Sequence, residues 1–88
     1  MQNNWLPYKN NILIAPKSKE KIIGDTAKYY LYGEVLDVGS EVKDIKKGDI
    51  IAYTLWGLNE ILEANGTKHY LIQDNPDFIL AVRHENAS

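Results

Sequence analysis

Gly33–Tyr53, GEVLDVGSEVKDIKKGDIIAY, is the stretch whose reading decides the fold class. Two short apolar runs, Gly33–Val38 and Asp49–Tyr53, flank a polar connection that ends in Lys47-Gly48-Asp49. Apolar and β-branched runs of this length, bounded by Gly, Asp and Ser, are strand signals. Working outward, no segment carries convincing apolar periodicity near 3.6 residues. Short β-rich runs instead alternate with Gly, Asn, Asp and Pro, the pattern of an all-β barrel or sandwich. Strands are expected near Asn10–Ala15, Tyr30–Val38, Asp49–Thr54, Asn59–Ala64, Lys68–Gln73 and Ile79–Arg83.

The sharpest local signal is Asn65-Gly66, a dipeptide that accepts the positive φ angles of a type I′ hairpin turn. A two-residue loop there sets Ala64 opposite Thr67, Glu63 opposite Lys68, Leu62 opposite His69 and Ile61 opposite Tyr70. Asn65-Gly66-Thr67 is also a glycosylation sequon, but the tight turn accounts for Asn65 and Gly66.

At 88 residues the chain holds one domain, expected over 1–88, with one modest core. A chain of this size buries about 60–65% of the surface its unfolded form exposes. With no cysteine to cross-link it, oligomerisation is an expected source of stability. The net charge of −2 provides no basic field for nucleic acid. The absence of cysteine fits a reducing compartment, the N-terminus carries no signal-peptide pattern, and a cytoplasmic location is expected.

The least strand-like segment is Ala15–Tyr29, APKSKEKIIGDTAKY, polar apart from Ile22-Ile23. Such a segment cannot bury enough apolar area to offset its ordering entropy, so a mobile loop is expected at about 17–29. Its isoleucine pair has the form of a short docking motif. The alternative is a plain surface loop whose two isoleucines tuck against the barrel. A disordered tail is expected at about 85–88.

Chemistry-bearing constellations are sparse. His69 and His84 lie far apart, with no cysteine or spaced carboxylate cluster, so no metal site is expected; His84 reads as a solvated tail residue. No Gly-rich phosphate loop is present, and Gly48-Asp49 reads as a turn. Ser18 and Ser40 have no neighbouring base in a recognisable pattern. Neither an enzymatic activity nor a cofactor is expected. Tyr29, Tyr30 and Tyr32 read as a strand edge or subunit contact rather than a base-stacking platform.

The order of these motifs resembles the GroES family of co-chaperonins from about Leu6 to Val82. Leu6–Ile14 sits where that family has its first strand, with Asn10-Asn11 in place of a typical Asp-Arg pair. Gly33-Glu34-Val35, Val38-Gly39 and Lys47–Ile51 match frequent runs, as do Glu60-Ile61, Tyr70–Ile72 and Phe78–Val82. The resemblance implies a small, partly open GroES-like β-barrel with one long mobile loop, a homo-oligomer, by resemblance a heptamer. By the same resemblance, such a ring is expected to cap an ATP-bound GroEL-type chaperonin over an unfolded client protein. It further implies Ile22, Ile23 and Gly24 as the chaperonin-binding tripeptide, and Trp56 facing the cavity. The expected subunit interface pairs Asn10, Ile12 and Ile14 of the N-terminal strand with Phe78, Ile79, Leu80, Ala81 and Val82 of a neighbour's C-terminal strand. Only Ser40–Lys47 fills the place of the family's roof hairpin, so an open-topped ring is expected, as in some phage-encoded members. The alternative is a structural β-barrel protein, such as a virion component, without a chaperonin partner. For Trp56 the alternative is a core cap.

Overall fold

The computed structural model describes residues 5–17 and 31–85. The expected mobile loop beyond Lys17, the tripeptide Ile22, Ile23 and Gly24, and the tail beyond Glu85 lie outside the described residues.

Among the described residues, six strands form one antiparallel sheet: β1 (Asn11–Pro16), β2 (Leu31–Val38), β3 (Ile50–Tyr53), β4 (Leu58–Leu62), β5 (Lys68–Gln73) and β6 (Ile79–Arg83). Their spatial order is β4-β5-β1-β2-β3-β6, and the sheet does not close on itself. Each strand falls on one of the β-rich runs. The fold is all-β, consistent with a small open barrel. A single 3₁₀ turn at Leu55–Gly57 interrupts the chain between β3 and β4.

Alternation along the strands builds the core. Ile12, Ile14, Val35, Ile51, Tyr53 and Ile72 are buried side chains of one cluster, and Ile45 from the β2–β3 connection plugs into it. That connection contains no strand. Its end is a turn in which Asp49 N–H donates to the Lys46 carbonyl at 3.0 Å. Gly48 takes φ 92° at the third position, where a type II turn requires a positive value.

Two register shifts push large apolar side chains outward. Between Leu13 and Ile14 the β1–β2 pairing steps over Leu36, and between Ala52 and Tyr53 the β3–β6 pairing steps over Leu80. These are β-bulges, whose extra residue has no partner opposite. Both leucines are exposed.

The hairpin register differs from the two-residue expectation. Leu62 pairs with Lys68, Ile61 with His69 and Glu60 with Tyr70. The loop holds three residues, Ala64-Asn65-Gly66. Gly66 alone takes a positive φ, 95°, while Asn65 does not. Gly66 N–H donates to the Glu63 carbonyl at 2.9 Å, and Thr67 N–H donates to Asn65 Oδ1 at 2.9 Å. This is a turn closed by a glycine bulge, a geometry that Asn-Gly also satisfies. One residue of slip exchanges cross-strand partners. Lys68 therefore meets Glu60 at 3.9 Å rather than Glu63.

Candidate functional site

Position in the sheet decides which strands can meet another molecule. β1 lies in its middle, paired with β2 on one side and β5 on the other. Ile12 is 0% exposed and Ile14 is 2% exposed. The Asn10 carbonyl accepts the Asp74 N–H at 2.8 Å. The expectation that Asn10, Ile12 and Ile14 pair with a neighbouring subunit is thereby corrected. Both edges of the strand already hold partners within the chain, and its isoleucines belong to the core.

β6 is different. It pairs only with β3, so its outer edge carries no strand among the described residues. Ile79 and Val82 turn toward the core, whereas Leu80 and Ala81 are exposed. Phe78 precedes the strand in a turn, where its N–H donates to the Asn75 carbonyl at 2.8 Å and its carbonyl accepts the Thr54 N–H at 2.9 Å. An open groove of about 240 Å³ follows β6 from Ile79 to Val82, walled by Asp44, Ile45 and Asp74. An unpaired strand edge of this kind is a template for another strand.

The 3₁₀ turn presents a second feature. Leu55 is 63% exposed and Trp56 is 78% exposed. Trp56 stands on the surface and does not cap the core. The turn beneath it is anchored: Gly57 is buried, and its N–H donates to the Thr54 carbonyl at 3.2 Å.

Two polar clusters went unread in the sequence. His84, expected to be a solvated tail residue, places Nδ1 2.8 Å from Oδ2 of Asp49, whose side chain is 2% exposed. The same carboxylate oxygen accepts the Lys46 N–H at 2.9 Å. The second cluster joins the N-terminal segment to the β4–β5 hairpin. Trp5 Nε1 donates to Glu63 Oε2 at 2.6 Å, and His69 Nε2 stands 3.3 Å from that oxygen, off the hydrogen-bond direction. The Trp5 and His69 rings are tilted, with centroids 6.4 Å apart. Both clusters join residues more than thirty positions apart, so no local pattern announces them.

Tyr53 is fully buried and its hydroxyl has no hydrogen-bond partner among the described residues. Burial raises its pKa above the usual tyrosine value, with a further upward push from Tyr70. Among the described residues, no group of three His, Cys, Asp or Glu side chains is placed to hold a metal ion. Nor is any helix among them long and apolar enough to cross a membrane. Of the sequence-derived site residues, the fold brings Phe78–Val82 to an edge, exposes Trp56 elsewhere, and places Ile12 and Ile14 in the core.

No protein-family model and no curated protein sequence matches the chain.

Proposed function

We propose that the chain is a co-chaperonin subunit that caps a GroEL-type chaperonin in its ATP-bound state. The reading rests on one observation. The runs that resemble the GroES family all fall, in order, on strands or strand-bounding turns of a single antiparallel sheet. Gly33-Glu34-Val35 lies in β2, Lys47-Gly48-Asp49 in the turn before β3, Glu60-Ile61 in β4, Tyr70–Ile72 in β5 and Phe78–Val82 at β6.

In this mechanism each subunit offers Ile22, Ile23 and Gly24 to an apolar groove on the chaperonin. One such contact is weak when the segment that makes it must be ordered on binding. Several on one ring raise the effective concentration and give a lid that is tight yet releasable. The chaperonin hydrolyses ATP, and this subunit supplies positioning alone. Subunits meet through the Phe78–Val82 edge in a ring, a heptamer by resemblance, and Trp56 faces the enclosed client protein.

The test is to mix the protein with a GroEL-type chaperonin and ATP and look for capped complexes by electron microscopy. Ile23→Ser should abolish capping while leaving the melting temperature nearly unchanged. Absence of capped complexes at any ratio would overturn the reading and favour a structural assembly protein, which the unpaired β6 edge also suits.

A further inference from the structure

We infer that His84 is a positioning residue that holds the C-terminal half of β6 in the sheet, keeping its outer edge straight for a neighbouring strand. The inference rests on the proposed use of that edge as a subunit interface. It begins with register. β3 and β6 pair Ile50 with Arg83, Ile51 with Val82 and Ala52 with Ala81. The next step in the same register puts Asp49 opposite His84. There the strand pairing ends, and a side-chain bond of 2.8 Å between His84 Nδ1 and Asp49 Oδ2 takes its place.

Asp49 is a firm anchor. Its carbonyl accepts the Val35 N–H at 2.8 Å and its N–H donates to Lys46 at 3.0 Å. The neighbouring Gly48 N–H donates to the Val35 carbonyl at 2.8 Å. The Asp49 backbone is therefore tied to β2 and its carboxylate to the Lys46–Asp49 turn, and His84 extends that tie to β6. Nothing comparable comes from Arg83, which pairs with Glu85 two residues along the same segment.

β6 needs such a tie. Among the described residues it has one strand neighbour, and the bulge at Leu80 interrupts that pairing after Ile79. Three regular pairs remain between the bulge and the strand's end. Short terminal strands with one neighbour open locally at low free energy. A strand that frays is a poor template, because an incoming chain must first order it. A buried carboxylate stripped of one of its donors is also costly, which drives the His84 bond to re-form when it opens.

The experiment compares wild type, His84→Ala and His84→Asn, the last retaining an amide donor near the position of Nδ1. Amide hydrogen exchange is read in the β3–β6 ladder and in the core strands, and self-association is followed by sedimentation over a range of concentrations. His84→Ala should speed exchange in the β3–β6 ladder at least tenfold, leave the Ile14 and Ile72 amides nearly unchanged, and weaken self-association at least tenfold. His84→Asn should restore most of both.

Unchanged exchange in the ladder of His84→Ala, or failure of His84→Asn to restore protection, overturns the inference. Loss of protection spread evenly over the core overturns it too, since that marks a global stabiliser. Loss of ladder protection with self-association unaltered overturns the link to assembly. A wild type that stays monomeric removes the interface reading instead, and ladder exchange alone then decides whether His84 holds the strand.

Discussion

Gly57 and Phe78 are packed so closely that a Cβ on Gly57 would stand 2.6 Å from Cγ of the phenylalanine ring. The contact joins the 3₁₀ turn after β3 to the turn before β6. It seats the base of the turn that carries Leu55 and Trp56 out into solvent. Gly57→Ala must therefore displace the Phe78 ring and the start of β6. Overpacking of this kind costs about 1–3 kcal/mol. Chemical denaturation of Gly57→Ala should show a loss in that range, and Gly57→Val a larger one.

Trp56 itself contributes little to stability. It is 78% exposed, and surface substitutions usually stay within about 0.5 kcal/mol. Trp56→Ala should leave the denaturation midpoint nearly unchanged. In a Trp5→Phe background, Trp56 emission should be red-shifted and readily quenched by acrylamide. Blue, protected emission in the assembled protein would mean that another molecule covers it.

The titration of Tyr53 bears on stability. Burial raises its pKa above the ordinary 10.0. The folded state thus holds the phenol neutral more tightly than the unfolded chain does. That contribution is fully present below about pH 10 and is lost as pH rises through the folded-state value. Tyr53→Phe should flatten the alkaline loss of stability. Because the hydroxyl is buried with no partner among the described residues, the substitution should also be neutral or stabilising, by up to about 1–3 kcal/mol. Stability curves of the two proteins between neutral and strongly alkaline pH check both outcomes.

Ile14 separates a core residue from an interface residue. It is 2% exposed within a single chain. Ile14→Ala should lower stability by about 2–5 kcal/mol. The size of the loss should not depend on protein concentration. A concentration-dependent loss would move Ile14 from the core to a subunit contact.

The hairpin loop predicts an asymmetry between neighbours. Gly66 has φ 95°, whereas Asn65 does not adopt a positive φ. Gly66→Ala should cost about 1 kcal/mol through backbone strain. Asn65→Ala should lose only an exposed side-chain bond to the Thr67 N–H, typically about 0.5–1.5 kcal/mol. Cross-strand nuclear Overhauser contacts should link Ile61 with His69, not with Tyr70.

The six strands were legible because each is a local event. An apolar run bounded by Gly, Asn or Asp has few alternatives to an extended, half-buried conformation. The turn at Lys47-Gly48-Asp49 was legible for the same reason, since glycine there supplies the positive φ. For Trp56 the sequence left a surface position and a core cap both open, and the fold exposes it. The hairpin register was not, because Asn-Gly satisfies both a two-residue and a three-residue loop. The choice between them exchanges the partner of every residue in β4.

What the sequence by itself determined is therefore an all-β chain, its strand positions and the sites of its turns. Strand order, the free edge and the burial of Asp49 beneath His84 were decided only by the tertiary structure. β1 and β6 are both short apolar strands, and composition does not say which is central. The difference arises when β5 and β2 close over both sides of β1, bringing Ile12 and Ile14 into contact with Ile72 and Val35. Among the described residues β6 is left at the rim with β3 alone. Burial of apolar area is a property of the whole sheet, and hydrogen bonds between distant residues follow from it.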